Sequence, residues 1–390
     1  MRRQRGFTLI ELMVGSAVTF LTVLAVSAAF IGYTQSFYTQ AGIRGGQASL
    51  RQTHLMVVRN LRMAGYGMEP PLAFGFPDDW SRESLKAVNR SDRLVFRMRN
   101  PAFNAFASGV SSTSITLSNP LPELLRKGQI IQVMCPGALA WTYAQLSMDA
   151  PKGDTSLNLE AADGKFPRLN AFTPSCFGSG AGGLGVYVFK IDVYDYSIRL
   201  IDEDGNPGTP DRPYLFRRHG LNEGDPVDSF GEPVAEDIEA MRVSFLRGDG
   251  SMFVPTKYDD LAHPAPDYST PLDDALRGNN NPANIRAVVV GLVARSTTRD
   301  TGAGPELMNQ IPAFGRKLSG TNVVLEGPLT KDGSGKPLPH GFRRVVSEMS
   351  VQLRNMRSSE MPVPVYTLDS TTPGACKGVL PKDDFNCAGG

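Results

Sequence analysis

Gly6-Phe7-Thr8-Leu9-Ile10-Glu11-Leu12-Met13-Val14 is the stretch that decides how this chain folds, because it sets a single carboxylate at the start of a long apolar run. Ahead of it lies a short basic leader, Met1-Arg2-Arg3-Gln4-Arg5, closed by Gly6. Behind it no residue is charged from Leu12 to Ile43. As a helix rising 1.5 Å per residue, Leu12–Tyr33 alone is roughly 33 Å long. That crosses the hydrocarbon core of a bilayer, which is about 30 Å thick. The three leader arginines hold the leader in the cytoplasm by the positive-inside tendency, with Arg44 on the far side. The rest of the chain then lies beyond the inner membrane. Glu11 costs about 2–3 kcal/mol to place in the apolar interior, which marks it as a functional candidate.

A secretory signal peptide cut near Ser27-Ala28-Ala29 is the alternative reading of the same hydropathy. Against it stand the abrupt start of the apolar run after Gly6 and the carboxylate inside that run.

The helix continues past the span. No proline precedes Pro70, and Ile43, Leu50, His54, Val57, Leu61 and Ala64 recur at three-to-four spacing. A helix from Phe7 to about Ala64 is roughly 87 Å long, and Gly65-Tyr66-Gly67 before Pro70-Pro71 stops it. Its first half is apolar all round, and its second half is amphipathic and suited to packing on a sheet. His54, on the apolar stripe, reads as a packed histidine rather than a ligand.

Beyond the stop the pattern changes to strands. Leu94–Met98, Ser114–Leu117, Gln129–Met134, Trp141–Leu146 and Ser156–Leu159 are short β-like runs between turn residues. They define a β-rich lobe at 90–180, inserted before a main sheet. That sheet takes Val186–Val193, Ser197–Leu200, Arg242–Phe245, Asn284–Arg295 and Arg344–Arg354, with a helical turn expected at Ala235–Ala240. Asn284–Arg295 is apolar on both faces, as a central strand is. Arg344–Arg354 alternates, with Met349, Val351 and Leu353 inward. The expected class is α+β, a long N-terminal helix on an antiparallel sheet. Its divisions are leader 1–6, helix 7–67, linker 68–89, inserted lobe 90–180, sheet head 181–357 and tail 358–390.

Composition removes several function classes. The chain has 390 residues, 41 % of them apolar and 20 % charged, which is globular. Forty basic against 39 acidic side chains offer no bulk attraction to nucleic acid. The four cysteines, Cys135, Cys176, Cys376 and Cys387, fit two disulfides in an oxidising compartment. No CxxC or CxxH pair suggests zinc. Cys135 and Cys176 share the inserted lobe, so pairing them is the simplest connectivity. Gly178, Gly180 and Gly183 match GxGxxG but precede a strand instead of opening a helix. Gly333-Ser334-Gly335-Lys336 lacks the rest of a phosphate loop. His219, His263 and His340 sit in polar loops without a nucleophile. Asp202, Asp204 and Asp211 are weak calcium candidates, because the glycine between them is off the EF-hand pattern, and a solvated hairpin turn is the plainer reading. Neither an enzyme nor a cofactor is expected.

Gly6-Phe7-Thr8-Leu9-Ile10-Glu11 resembles the class III signal of type IV prepilins and type II secretion pseudopilins. The resemblance implies that a prepilin peptidase cuts between Gly6 and Phe7 and methylates the Phe7 amine. It further implies that Glu11 pairs with the terminal amine of a neighbouring subunit, which suits two charges each costly alone in an apolar setting. Val234–Val243, Ile285–Val288 and Phe342–Asn355 together resemble PilW-type minor pilins, which are associated with priming pilus assembly and with the pilus tip. The partners so implied are the peptidase, the major pilin, other minor pilins, the inner-membrane assembly platform and a tip adhesin. In this family a disulfide-bounded C-terminal loop is common, which implies Cys376–Cys387. The location implied is the inner membrane, head outward, and then the pilus. A minor pseudopilin of a type II secretion system is the alternative on the same stem. A membrane-anchored or secreted binding protein is the alternative of another class.

Mass spectrometry of membrane or pilus fractions should find the mature chain starting at methylated Phe7. Its formal charge would then move from +1 to −2, as 40 basic side chains become 37 against 39 acidic. Non-reducing digestion of the same sample should return Cys135–Cys176 and Cys376–Cys387. A start near Phe30 would favour the signal peptide instead.

Overall fold

The computed structural model describes residues 8–68, 70–75, 91–111, 113–135, 140–160, 185–206, 211–219, 231–253, 282–297, 299–300, 310–313, 315–319, 322–325, 327–331, 341–356, 365–367 and 375–377. Among the described residues one long α-helix, α1 (Leu9–Leu61), carries two antiparallel sheets on its C-terminal half. At 53 residues it is about 80 Å long. Its buried positions, Gly46, Leu50, Thr53, Val57 and Leu61, fall three or four apart and form one stripe. The stop lies where the glycines predict it. Gly67 adopts φ +69°, and a Cβ there would stand 2.7 Å from Arg99 Nε, so a side chain is excluded by both backbone and space.

The first sheet contains β1 (Phe74–Gly75), β2 (Leu94–Arg99), β3 (Ala105–Val110), β4 (Ser114–Leu117) and β5 (Ile130–Cys135). It continues with β6 (Ala140–Gln145), β7 (Ser156–Asn158), β8 (Val186–Ile201), β9 (Arg212–His219) and β10 (Gly231–Glu236). Strand β8 is its spine. Its first half pairs with β3 and β5, and its second half with β2 and β9. The second sheet is built from β11 (Ile238–Arg247), β12 (Met252–Phe253) and β13 (Ile285–Arg295). A small hairpin, β14 (Arg316–Ser319) with β15 (Asn322–Leu325), precedes its last strand, β16 (Arg344–Gln352). Its order is β12-β11-β13-β16, so β13 is central, as its two apolar faces require. A short parallel pair, β17 (Val365–Thr367) and β18 (Ala375–Lys377), lies in the tail.

One large core lies between helix and sheets. Leu50, Val57 and Leu61 meet Phe96, Tyr196, Met241, Val243, Phe245, Val288, Val290, Leu292 and Val351 there. A second core gathers Phe103, Ile115, Leu117, Leu125, Ile131, Val133, Leu146 and Leu157, closed by Val188 of β8. The β-rich segment thus has an interior of its own. The sheet nevertheless runs across the boundary expected near residue 180, since β8 is shared and β2 belongs to the core beneath the helix.

The expected helical turn at Ala235–Ala240 is a strand-to-strand crossover instead. Strand β10 ends at Glu236, Asp237 turns the chain with φ +59°, and β11 starts at Ile238 in the other sheet. A positive φ is uncommon outside glycine, and aspartate is among the residues that tolerate it. The acidic pattern mimicked a helix surface because two of its carboxylates face inward. Asp237 takes Arg212 of β9 at 2.6 Å and Arg295 of β13 at 3.4 Å. Glu239 is the extra residue of a β-bulge, between Ile238↔Ala294 and Ala240↔Val293. The bulge re-aims it onto Arg344, whose Nη2 donates to Glu239 Oε1 at 2.8 Å. Arg242 meets Asp92 at 3.1 Å, tying the segment ahead of β2 to β11.

Both side chains of the Glu239–Arg344 pair are 2 % exposed. Removing one partner leaves a buried charge, which typically costs about 3–5 kcal/mol. Glu239→Ala should lower the denaturation free energy of the detergent-solubilised chain by that order, and Glu239→Gln by less. A loss below about 1 kcal/mol in both would mean that solvent reaches the guanidinium.

Candidate functional site: the bare half of the helix

Contacts between helix and head begin at Thr39, whose Oγ1 donates to Asp300 Oδ2 at 3.4 Å. They continue with Gly46, where a Cβ would lie 3.6 Å from the Arg295 carbonyl oxygen. Ser49 Oγ donates to the Glu236 carbonyl at 3.1 Å, and Asn60 Nδ2 to the Tyr196 hydroxyl at 2.7 Å. Asn355 Nδ2 closes the series on the Arg62 carbonyl at 3.3 Å. The helix runs along β16 in the same direction, passing Ser347 at His54 and Asn355 at Arg62.

Leu9–Tyr38, about 45 Å of helix, has no such contacts among the described residues. Leu9, Ile10, Phe20, Val26 and Phe30 are each more than 60 % exposed, which no water-soluble surface of this length tolerates. Four of its hydroxyls are turned onto the helix's own carbonyls. Ser16 donates to the Met13 carbonyl at 2.9 Å, and Thr19, Thr22 and Thr34 each donate to the carbonyl four residues back at 2.8 Å. From Leu9 to Ile31 this half therefore presents mostly hydrocarbon, with Glu11 its one charged side chain. Tyr33, Phe37 and Tyr38 are exposed where the apolar run ends, a position at which aromatic side chains favour a membrane interface. α1 is long and apolar enough to cross a membrane.

Thr8 caps the helix in extended geometry, φ −81° and ψ 149°, and forms a capping box with Glu11. Glu11 Oε2 accepts from the Thr8 N–H at 3.0 Å and from its hydroxyl at 2.9 Å, while Thr8 Oγ1 accepts from the Glu11 N–H at 3.3 Å. The box is legible as Thr8-x-x-Glu11 before an apolar run, a signal that reading the carboxylate alone passes over.

Other expected positions are scattered. Gly6, Phe7, Cys176, Cys387, His263, His340, the Gly178–Gly183 run and Gly333–Lys336 lie outside the described residues. Cys135 ends β5 opposite Ala140, and Cys376 sits in β18 opposite Tyr366. His219 ends β9, paired with Tyr194 of β8. Asp202 accepts from the Gly205 N–H at 2.7 Å and Asp204 from the Asn206 N–H at 3.0 Å, in the connection joining β8 to β9. Asp211 is exposed at its far side. Among the described residues no three His, Cys, Asp or Glu gather as a metal site.

Residues 1–29 match the prokaryotic N-terminal methylation motif. With the helix described above, that match supports a pilin or pseudopilin, which implies processing by a prepilin peptidase and assembly with other pilins. No curated protein sequence matches the chain. Among solved structures it is similar to the type IV-like pilin TTHA1219 from Thermus thermophilus, at 14 % identity over 80 % of this chain and 98 % of that one. The TM-score is 0.30.

His54 lies half-buried on the helix, facing β16. Its Nδ1 lies 3.3 Å from Ser347 Oγ, and its Nε2 is buried without a hydrogen-bond partner among the described residues. Burial holds the imidazole below its ordinary 6.5. The unfolded chain then takes up the proton first as pH falls. Stability should be full above about pH 7 and decline as pH drops through 6.5 toward the lower folded value. His54→Gln should flatten that slope in denaturation curves between pH 7 and pH 5. An unchanged slope would assign it to another group.

Proposed function

We propose that this chain is a minor pilin of a type IV pilus, anchored in the inner membrane and then incorporated through α1 at or near the pilus tip. It would act in assembly priming, with a role in motility and adhesion. The observation that carries this reading is the division of one helix into a half docked on the head and a half bare except for Glu11. A bare apolar half suits lipid first and the packed interior of a filament afterwards. Cleavage after Gly6, methylation of Phe7 and pairing of Glu11 with a neighbour's Phe7 amine follow from the motif. That amine, with an ordinary pKa of about 7.7–8.0, is cationic when paired. The PilW-type resemblance rests on three segments that contribute β11, β13 and β16, the sheet on which the helix lies. The large head beyond the helix would crowd a filament made of it but fits at an end. Disulfides Cys135–Cys176 and Cys376–Cys387 would hold the lobe and the tail. Partners would be the prepilin peptidase, major pilin, other minor pilins, the assembly platform and a tip adhesin.

Glu11→Gln keeps an oxygen for the Thr8 hydrogen bonds and removes only the charge, whereas Glu11→Ala removes both. Both variants should insert and be cleaved normally yet reach the pilus fraction poorly, read as pilus-associated against membrane-retained protein. Equal incorporation and normal piliation in both would end the docking role. Loss of type II secretion with intact pili, on deleting the chain, would assign it to a pseudopilus instead.

A further inference from the structure

We infer that Thr8 is a positioning residue for the Glu11 carboxylate, holding one of its oxygens so that the other is presented to the docking cation. The inference rests on the reading of Glu11 as a docking group and adds the residue through which it works. Oε2 is engaged twice, by the Thr8 N–H and the Thr8 hydroxyl. Oε1 has no hydrogen-bond partner among the described residues, and Glu11 is exposed. The Thr8 hydroxyl acts in both senses, donating to the carboxylate and accepting from the Glu11 N–H. A glutamate on a free helix surface samples many rotamers, and fixing them on binding costs affinity. Here that ordering is in place before a partner arrives.

The same bonds answer a second need. A carboxylate in an apolar setting without donors is costly. A neighbour's amine reaches Glu11 only at docking, so until then the donors come from its own chain. Both Thr8 donors lie downstream of Phe7, and neither cleavage after Gly6 nor methylation of the Phe7 amine removes them. Serine can repeat the arrangement. Valine, with nearly the shape of threonine, keeps the backbone donor but loses the hydroxyl and the cap acceptor.

The full chain should be expressed in its host as wild type, Thr8→Val, Thr8→Ser and Glu11→Gln. Membrane insertion, leader cleavage and the pilus-associated fraction would be measured for each. Thr8→Val should insert and be cleaved as the wild type but lose roughly five-fold in incorporation, the scale of a lost helix cap. Thr8→Ser should restore it. If Glu11→Gln loses incorporation while Thr8→Val does not, the positioning role is wrong and the docking role stands. If Thr8→Ser falls as far as Thr8→Val, the hydroxyl is not the working group. Failed insertion or cleavage of Thr8→Val would place the hydroxyl at an earlier step and equally overturn the role. If Glu11→Gln is incorporated normally, the docking reading itself fails.

Discussion

Burial of the stripe Gly46, Leu50, Thr53, Val57 and Leu61 against the sheets is the contact on which the rest of this molecule depends. It lets one uninterrupted helix serve two environments. From Thr39 onward the helix is part of a globular core, held by apolar packing and by side-chain hydrogen bonds at Ser49 and Asn60. Before Thr39 the same helix is mostly hydrocarbon on its surface, and Ser16, Thr19 and Thr22 turn their hydroxyls onto its own carbonyls. Neither half could be exchanged for the other. The docked half carries Arg44, Arg51, Arg59 and other polar groups on its outer side, which hydrocarbon would reject. The bare half has no polar face to turn to water.

The two sheets are joined by charge more than by backbone. Asp237 is the single residue between β10 and β11, and its carboxylate meets an arginine from each sheet. Asp92 ties the approach to β2 onto β11 through Arg242 and the Val243 N–H. Ion pairs of this kind gain little net stability over apolar packing, but leaving one half unpaired is expensive. Wrong pairings of the two sheets therefore strand buried charges.

The sequence made the long elements plain and the crossovers obscure. The helix, its glycine stop and the central strand β13 were legible because each rests on a local pattern: unbroken apolarity, positive-φ glycines and two apolar faces. Strand β16 was legible for the same reason, since Val351 and Leu353 are buried and Glu348, Ser350 and Gln352 exposed. The segment around Asp237 was misread as helical because its carboxylates find arginines up to 105 positions away, at Arg344. Nothing in a ten-residue window announces such a partner. The continuity of β8 between both ends of the first sheet was hidden likewise, since shared pairing leaves no mark on a strand's own residues. At the candidate site Glu11 stood out by its cost, while the Thr8 cap had a readable signature that a search for charges overlooks.

The direction of α1 along β16 also decides how load would pass through the protein. The helix and that strand run the same way, and β13 runs against them as their central neighbour. A pull on the stem along its axis reaches the head through side chains spread from Thr39 to Arg62. It enters β16, β13, β10 and β8 side by side, and any sliding of β16 past β13 runs along the strands. Hydrogen bonds in an antiparallel ladder lie across the strands, so that motion strains all of them together instead of opening them from one end. The head is thus mounted in shear, the geometry in which a sheet gives way last.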